Sequence, residues 1–530
     1  MHTQSVGPAS SEIESGSAAE GPSPWPGRLT LVAPAVIALV AGFWGLARGS
    51  MWNDEATSYI VAARALPDLW RTLGHIDAVH GFYYLLLHPL ASITSDPATN
   101  EILLRLPSVL ATGVAAAGVA AIAQRTASLR AGLFSGLAYA TTPVVSFYAQ
   151  EARSYALVSA AVVLSTLLLV EASRRTERRW WVLYALATAL ACLLNLFAGL
   201  VLVAHATTLV LTRQRAAVLR RWALACLAVA VAIAPLAWIC SRQTQQVAWL
   251  PKPHWETVQE LITRFAGSGV LLVLILALAL AAFLPKRLTG KPRIGHHAVP
   301  TATVGTDRRI ALPAVAAPLA VLPPSLLLLV SQVKPFYQDR YILYAICGIA
   351  LLTGAGLHNL AGVLERSRAL RPLSVLAASA LLLATAALAL PAQKEVRRTD
   401  SRNDDIAAAA RVIHDNAHSG DAVLFLPSGG RIVAETYPKD FADVRDIALM
   451  RSGAEVGRLS AKEQPADQII TTLEHMPRVW VIRRSHLTDS RFTAPQDRAK
   501  LSTLHDHYQQ AEAIRVHGYL IRLFVRKPTS

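Results

Sequence analysis

The sequence predicts an α-helical polytopic membrane protein of about eleven spans that ends in a small extracytoplasmic α/β domain. Composition is the first reason: of 530 residues, 53% are hydrophobic and only 16% charged, and the mean hydropathy is +0.37. Patterning is the second. The apolar residues come in blocks, not in the one-sided stripes of amphipathic helices, and roughly 20 such residues are what a span needs to cross the hydrocarbon. The third is the placement of charge. Lys and Arg cluster in short loops beside the apolar blocks, as at Arg174, Arg175, Arg178 and Arg179 and at Arg213, Arg215, Arg220 and Arg221, the positive-inside pattern of membrane proteins. The net charge of +16 therefore reports on topology, and no nucleic-acid partner is expected.

Taken in order, residues 1–28 are rich in Ser, Gly, Pro and Glu, with a single Arg and no cationic region or cleavage site placed as in a secretory signal. They read as a disordered cytoplasmic tail, and the apolar run after them is retained as a span. Spans are expected near 29–47, 103–123, 131–148, 153–172, 180–195, 198–212, 222–240, 268–284, 311–331, 341–363 and 373–391. Segment 81–95, which opens Gly81-Phe82-Tyr83-Tyr84, is apolar but short and flanked by His80, His88 and Asp96. Counting it as a crossing would invert everything downstream. Either count keeps the basic loops on one side, so charge does not separate them; length does, and favours an interfacial or re-entrant helix. With eleven spans the N-terminus is cytoplasmic, while the 48–102 loop and the chain beyond residue 391 are extracytoplasmic. Twelve spans would place Glu151 and the C-terminal region opposite Asp54.

From about residue 392 the composition turns charged and mixed. Strand-like runs at Ala422 to Leu426, Val479 to Ile482 and Tyr519 to Val525, with helix-like stretches at Asp404 to Asn416 and Arg498 to Ala513, predict a small α/β domain. Gly429-Gly430 is a turn signal only. The four cysteines, Cys192, Cys226, Cys240 and Cys347, lie in apolar runs at unrelated spacings and imply neither a disulfide framework nor a metal cluster.

Three polar motifs stand out between apolar runs. Trp52-Asn53-Asp54-Glu55-Ala56 puts two carboxylates at the membrane surface, where acids are costly unless they are solvated, paired or functional; the alternative is a cap for the following helix. In Tyr148-Ala149-Gln150-Glu151-Ala152-Arg153-Ser154-Tyr155, Glu151 and Arg153 are either site residues or a surface pair. Lys334-Pro335-Phe336-Tyr337-Gln338-Asp339-Arg340-Tyr341 offers two cations for a phosphate, Arg by a bidentate fork, or ordinary interfacial anchoring. His80 and His88 lack nearby carboxylates at metal-ligand spacing and suit the polar lining of a cavity. With eleven spans all three motifs fall on one face. Inverting sugar transfer needs a base for the acceptor hydroxyl and cations for a phosphate leaving group, and this set supplies both.

These residues resemble the GT-C glycosyltransferases of the family 39 type, which include protein O-mannosyltransferases and aminoarabinose lipid A transferases. The resemblance rests on the order Trp52 to Ala56, His80 to His88, Leu104-Arg105-Leu106-Pro107-Ser108, Gln150 to Tyr155 and Asp339-Arg340-Tyr341, across roughly residues 30–363. It implies a transmembrane glycosyltransferase domain over 29–391, with residues 392–530 as a soluble domain outside the shared core. It further implies a polyprenyl-phosphate sugar donor, an extracytoplasmic site, Asp54 as catalytic base, Glu55 as supporting acid and Glu151 as a second acid that orients the acceptor. Arg340 matches a basic position near the donor phosphate, with Lys334 as helper, and Arg153, Tyr341, His80 and Tyr59 complete the expected binding set. Where relatives often have His-Pro-Pro, this chain has His80-Gly81-Phe82. No cofactor is certain, and a divalent metal is left open.

The expected reaction is inverting transfer of a sugar, with mannose or arabinose the candidates, to a glycan, lipid or protein acceptor at the cell membrane. The competing readings are a transporter or flippase of lipid-linked sugars, which would usually show repeated halves and broken helices, and a non-catalytic assembly protein. No repeat is visible. The soluble domain is expected to bind acceptor, anchor a partner or cap the site opening; His414, Asp415 and His418 on its first helix read as a solvated face.

Overall fold

The computed structural model describes residues 25–93, 97–247, 249–289 and 310–528; most of the N-terminal tail lies outside them. Every apolar run named above is helical. Helix α1 (Trp25–Phe43) leads to a loop carrying α2 (Asn53–Ala62), α3 (Leu66–His75) and α4 (Gly81–Ala91), and then come α5 (Pro97–Thr126), α6 (Leu129–Ala140), α7 (Pro143–Ala149) and α8 (Tyr155–Arg174). The bundle continues through α9 (Arg178–Leu194), α10 (Val201–Leu211), α11 (Ala216–Arg242), α12 (Trp255–Ala266), α13 (Gly269–Ala281) and the short α14 (Lys286–Thr289). It closes with α15 (Leu312–Val333), α16 (Ala345–Leu364) and α17 (Ser374–Glu395).

Six of these helices are long and apolar enough to cross a membrane unaided, and α12 with α13 form a seventh candidate bent by 81°. The bend has a local cause: Gly267 ends α12 at φ 88°, and Ser268 then caps α13 by accepting from the Leu271 N–H. The expected 131–148 span is likewise broken, by Pro143 at the start of α7. Helix α4 has eleven residues, a rise of about 16 Å, which is about half the hydrocarbon thickness. Leu224, Leu227 and Val231 on α11 and Val273, Leu276 and Leu280 on α13 are exposed. An apolar outer surface suits lipid as its solvent.

Helix α16 is the hub, and its small residues make that possible. A Cβ on Gly348 would lie 2.4 Å from the Ala320 nitrogen of α15, one on Gly354 within 2.6 Å of Ser135 in α6, and one on Gly356 only 2.0 Å from the Leu278 carbonyl of α13. Close backbone approach of this kind is how helices associate where lipid removes the hydrophobic drive.

Loop contacts sort the bundle into two ends. At one end Arg125 and Arg175 pair with Glu171, Arg130 with Glu365, and Arg221 donates to the Thr176 carbonyl at 3.0 Å. At the other, Gln150 donates to the Gly42 and Trp44 carbonyls, Gln393 to that of Thr141 and Tyr344 to that of Phe197.

Beyond α17 the chain forms α18 (Ile406–Asn416), β1 (Ala422–Leu426), α19 (Ile432–Thr436), β2 (Arg445–Asp446), β3 (Leu449–Arg451), α20 (Gly453–Val456) and β4 (Lys462–Glu463). It ends with α21 (Ala466–Leu473), β5 (Arg478–Arg484), α22 (Pro495–His507), β6 (Tyr508–Val516) and β7 (Tyr519–Arg526). The main sheet has the order β2-β1-β5-β7-β6, with β1 parallel to β2 and β5, and β7 antiparallel to its neighbours. Val423, Phe425, Trp480 and Ile482 face α18 and α19, while Leu424, Leu426, Val479 and Val481 face α21 and α22. Cover on both faces explains why β1 reads as a continuous apolar run. One expectation is corrected: the helix expected to Ala513 ends at His507. Tyr508 instead buries its ring and donates to the Met476 carbonyl at 2.7 Å, and the following polar residues form an edge strand paired with β7 across the His517-Gly518 turn.

Candidate active site

The site gathers where α2 begins beneath the C-terminal domain. Its two acids do different jobs. Glu55 is fully buried, and its carboxylate accepts two 2.8 Å bonds from the Arg105 guanidinium of α5 and a third from the Ala152 N–H. Arg105 spends its remaining donors on the carbonyls of Leu46, Gly49 and Ser50. A charge-assisted fork with every partner satisfied fixes geometry. Glu55 thus ties α2 to the 150–154 turn.

Asp54, one residue earlier, faces the open side, with its side chain 23% exposed and Oδ2 3.1 Å from Arg340 Nη1. Burial pushes its carboxyl up, but the Arg153 and Arg340 guanidiniums outweigh that and hold it below the usual carboxylate range. Arg340 stands on the short 339–342 turn between α15 and α16, within 5.7 Å of the Trp52 and Tyr155 rings. Arg153 donates to Ser58 Oγ at 3.2 Å and faces His80 Nε2 at 2.8 Å. The second contact needs Nε2 as acceptor, hence a neutral imidazole; burial and then Arg153 push His80 down to about 4.

Glu151 lies in the turn between α7 and α8, 1% exposed. Among the described residues neither of its carboxylate oxygens has a hydrogen-bond partner, and Arg402 Nη1 stands 3.9 Å away. Burial raises this carboxyl to about 7, against the pull of Arg402.

Three cavities meet here. One of about 310 Å³ is lined by His80, Phe197, Ala237, Gln243, Phe336 and Tyr341 and is mostly apolar; Tyr341 stacks on Phe197 at 5.2 Å. A second, of about 110 Å³, is polar and lined by Trp52, Tyr148, Glu151, Arg264, Arg340 and Arg402. The third, about 280 Å³, shares Arg264, Gln338 and Asp339 with the second. Arg264 joins its walls by an ion pair with Asp339 at 3.0 Å. Consecutive residues, Arg340 and Tyr341, therefore line different cavities.

Asp54, Glu55, Glu151, Arg153, Arg340, Tyr341 and His80 come together as expected. Two others do not. Lys334 is exposed at the end of α15, 5.3 Å over Phe336, and Tyr59 points about 140° around α2 from Asp54, where its hydroxyl accepts from Asn100. Arg105, Arg264, Arg402, Asp404 and Arg484 were not singled out; of these only Arg105 carried a signal, as part of the Leu104 to Ser108 motif. No group of three or more metal-ligating side chains occurs among the described residues.

Residues 83–238 match the family described as dolichyl-phosphate-mannose-protein mannosyltransferase. The match takes in Arg105, Glu151 and Arg153 and leaves out Asp54 and Arg340, whose placement rests on geometry. No curated protein matches by sequence. Among solved structures, ArnT from Cupriavidus metallidurans in the apo state is 13% identical with a TM-score of 0.53, covering 94% of this chain and 98% of that one. ArnT bound to undecaprenyl phosphate gives 13%, 0.55, 93% and 97%. The oligosaccharyltransferase AglB from Archaeoglobus fulgidus, in complex with an inhibitory peptide and a dolichol phosphate, gives 11% and 0.45, covering 95% of this chain and 74% of its own.

By fold, then, the chain is like ArnT along most of its length, with a polytopic helical membrane architecture, and residues 83–238 carry the family match.

Proposed function

We propose that the protein transfers a sugar, with inversion, from a polyprenyl-phosphate donor to a hydroxyl of a cell-envelope acceptor, with Asp54 as the general base. The observation that carries this reading is the Asp54–Arg340 pair, a carboxylate and a guanidinium in contact, in which Arg340 lines the polar cavity and the next residue, Tyr341, lines the apolar one. In the reaction the acceptor oxygen attacks the anomeric carbon as its proton passes to Asp54. The bond from that carbon to the phosphate oxygen breaks, and polyprenyl phosphate leaves with the electron pair. A phosphate leaving group needs cationic stabilisation and no strong acid, which is the role assigned to Arg340. The carboxyl of Asp54 is held ionised by its cations, so the base is available at neutral pH.

The apolar cavity suits the first isoprene units of the donor and the polar ones suit the acceptor. Dolichyl-phosphate-mannose in the name of the matching family and undecaprenyl phosphate in ArnT support a polyprenyl-phosphate donor and favour mannose over arabinose as the first sugar to test. We assign eleven crossings, a cytoplasmic N-terminus and an extracytoplasmic site and C-terminal domain. The gathering of the basic loops at the bundle end away from Asp54 supports this orientation through the positive-inside rule.

The test is release of undecaprenyl phosphate from undecaprenyl-phosphate-mannose and undecaprenyl-phosphate-arabinose by purified protein with a crude envelope-glycan acceptor. Wild type is expected to turn over one of them and Asp54→Asn to lose at least about a thousandfold, the scale of a lost base. Full activity in Asp54→Asn would remove the base from this scheme.

A further inference from the structure

We infer that the C-terminal domain supplies part of the catalytic site, with Arg402, Asp404 and Arg484 as positioning residues that hold Glu151 and the Asn53–Asp54 turn. The inference rests on the function proposed above, and none of the three residues belongs to the bundle.

The first point of attachment is Arg402, between α17 and α18. Its side chain is 7% exposed, lies 3.7 Å over the Phe147 ring and donates through Nη2 to the carbonyls of Phe147 and Gln150 at 2.9 and 3.1 Å. Those bonds aim Nη1 at Glu151 Oε2 across 3.9 Å, and among the described residues neither end of that gap has a hydrogen-bond partner. The separation is too long for a direct hydrogen bond and too short for the charges to be independent. Both groups line the polar cavity, so the gap is where a hydroxyl held by both fits. The charged groups facing Glu151 are Arg402, Glu55, Arg340 and Asp54, with Arg264 and Asp339 across the cavity.

The second point is the start of α2. The residue before it, Trp52, offers no capping side chain. Asp404, 351 residues away in sequence, accepts from the Asn53 N–H at 2.9 Å. Its other oxygen takes Arg484 Nη1 at 3.0 Å, and Arg484 Nη2 donates to Asn53 Oδ1. A closed ring of three side chains from the loop and the domain thus sets the turn on which Asp54 stands. Next to it Ser50 donates to Asp405 at 2.7 Å, and Tyr437 donates to Glu101 at 2.6 Å.

The domain holds its own part of this ring rigidly. The His517-Gly518 turn between β6 and β7 grips segment 402–405: the Asp405 N–H donates to the His517 carbonyl at 3.0 Å, and His517 Nε2 meets the Arg402 carbonyl at 2.6 Å. Gly518, at φ 83°, lies so close that a Cβ there would sit 2.3 Å from that of Asp404.

The experiment uses the full-length protein in lipid nanodiscs and two readouts that need no substrate. The infrared carboxyl band of Glu151, assigned by its loss in Glu151→Gln, is expected to titrate at higher pH in Arg402→Gln and to return towards the wild-type midpoint in Arg402→Lys. Amide hydrogen exchange of Asn53 to Thr57 is expected to quicken about fivefold in Asp404→Ala and in Arg484→Ala, the effect of losing one helix cap, with α6 and α16 unchanged. In transfer assays these variants should lower kcat more than they raise KM for the donor. An unmoved Glu151 midpoint, or unchanged exchange in both cap variants, overturns the inference. If Arg402→Gln fails to fold, Arg402→Lys and Arg484→Ala decide it. Failure of the wild type to turn over either donor, with both biophysical shifts present, refutes the proposed reaction and leaves the clamp standing.

Discussion

Replacing Arg105 by Met is the most severe single test of the scaffold beneath the site. The substitution keeps much of the side-chain volume and removes all five donors. Glu55, fully buried, is left as an uncompensated charge with only the Ala152 N–H, a loss on the order of 3–5 kcal/mol. The Leu46, Gly49 and Ser50 carbonyls lose their guanidinium partner too, at about 1 kcal/mol each. The sum, roughly 6–8 kcal/mol, rivals the whole stability of a typical domain. Arg105→Met is therefore expected to lose the monodisperse peak in size-exclusion melting of the detergent-solubilised protein, or to melt far below wild type. Glu55→Gln/Arg105→Met removes the stranded charge and should recover the larger share of the deficit but not the carbonyl share. The reasoning fails if Arg105→Met melts with the wild type, or if the double variant is no more stable than the single.

Glu151 gives a prediction with a definite sign. Its folded-state value of about 7 lies above the ordinary 4.5, so the stability it contributes is present below about pH 4.5 and lost as pH rises through 7. Glu151→Gln should thus match wild-type melting near pH 4.5 and exceed it above pH 7, by up to about 3 kcal/mol; equal melting at pH 8 would contradict the burial argument. In transfer assays an inflection near pH 7 should vanish in that variant. His80→Asn should leave the profile between pH 5 and 8 unaltered, because His80 is already neutral down to about 4. Arg340→Lys keeps the charge and loses the planar fork, so kcat should fall about tenfold to a hundredfold; a rate within twofold of wild type would mean that Arg340 does not meet the phosphate. Lys334→Ala, at an exposed position beside Phe336, should cost less than about threefold.

Much of this could be read from the chain because its strongest signals are local. Apolar runs become helices wherever the bilayer forbids anything else, and β1, covered on both faces, is apolar throughout. Asp54 and Arg340 were legible as acid and cation beside spans. What escaped notice was set by tertiary partners. Arg105 lies in a motif, yet its partner stays hidden until Glu55 is placed against it, and Asp404 and Arg484 meet Asn53 across more than 350 residues of chain. Lys334 and Tyr59 each sit near a site motif, and sequence alone does not say that Lys334 lies at the surface over Phe336 or that the Tyr59 hydroxyl meets Asn100. The polar face of β6 carries little strand signal, and pairing with β7 overrode its helical propensity.

The tight turn at Gly518 has a practical side. A two-residue connection presses on Asp404, which in turn holds the first residue of α2, so the far end of the polypeptide acts as a set-screw on a helix begun 465 residues earlier. Chimeras that exchange the C-terminal domain at a boundary near residue 392 would carry the screw away with it. Those that keep Arg402 to Asp405 but import another hairpin would leave it unseated. A graft that preserves function must move segment 402–405, Arg484 and the 517–518 turn as one part.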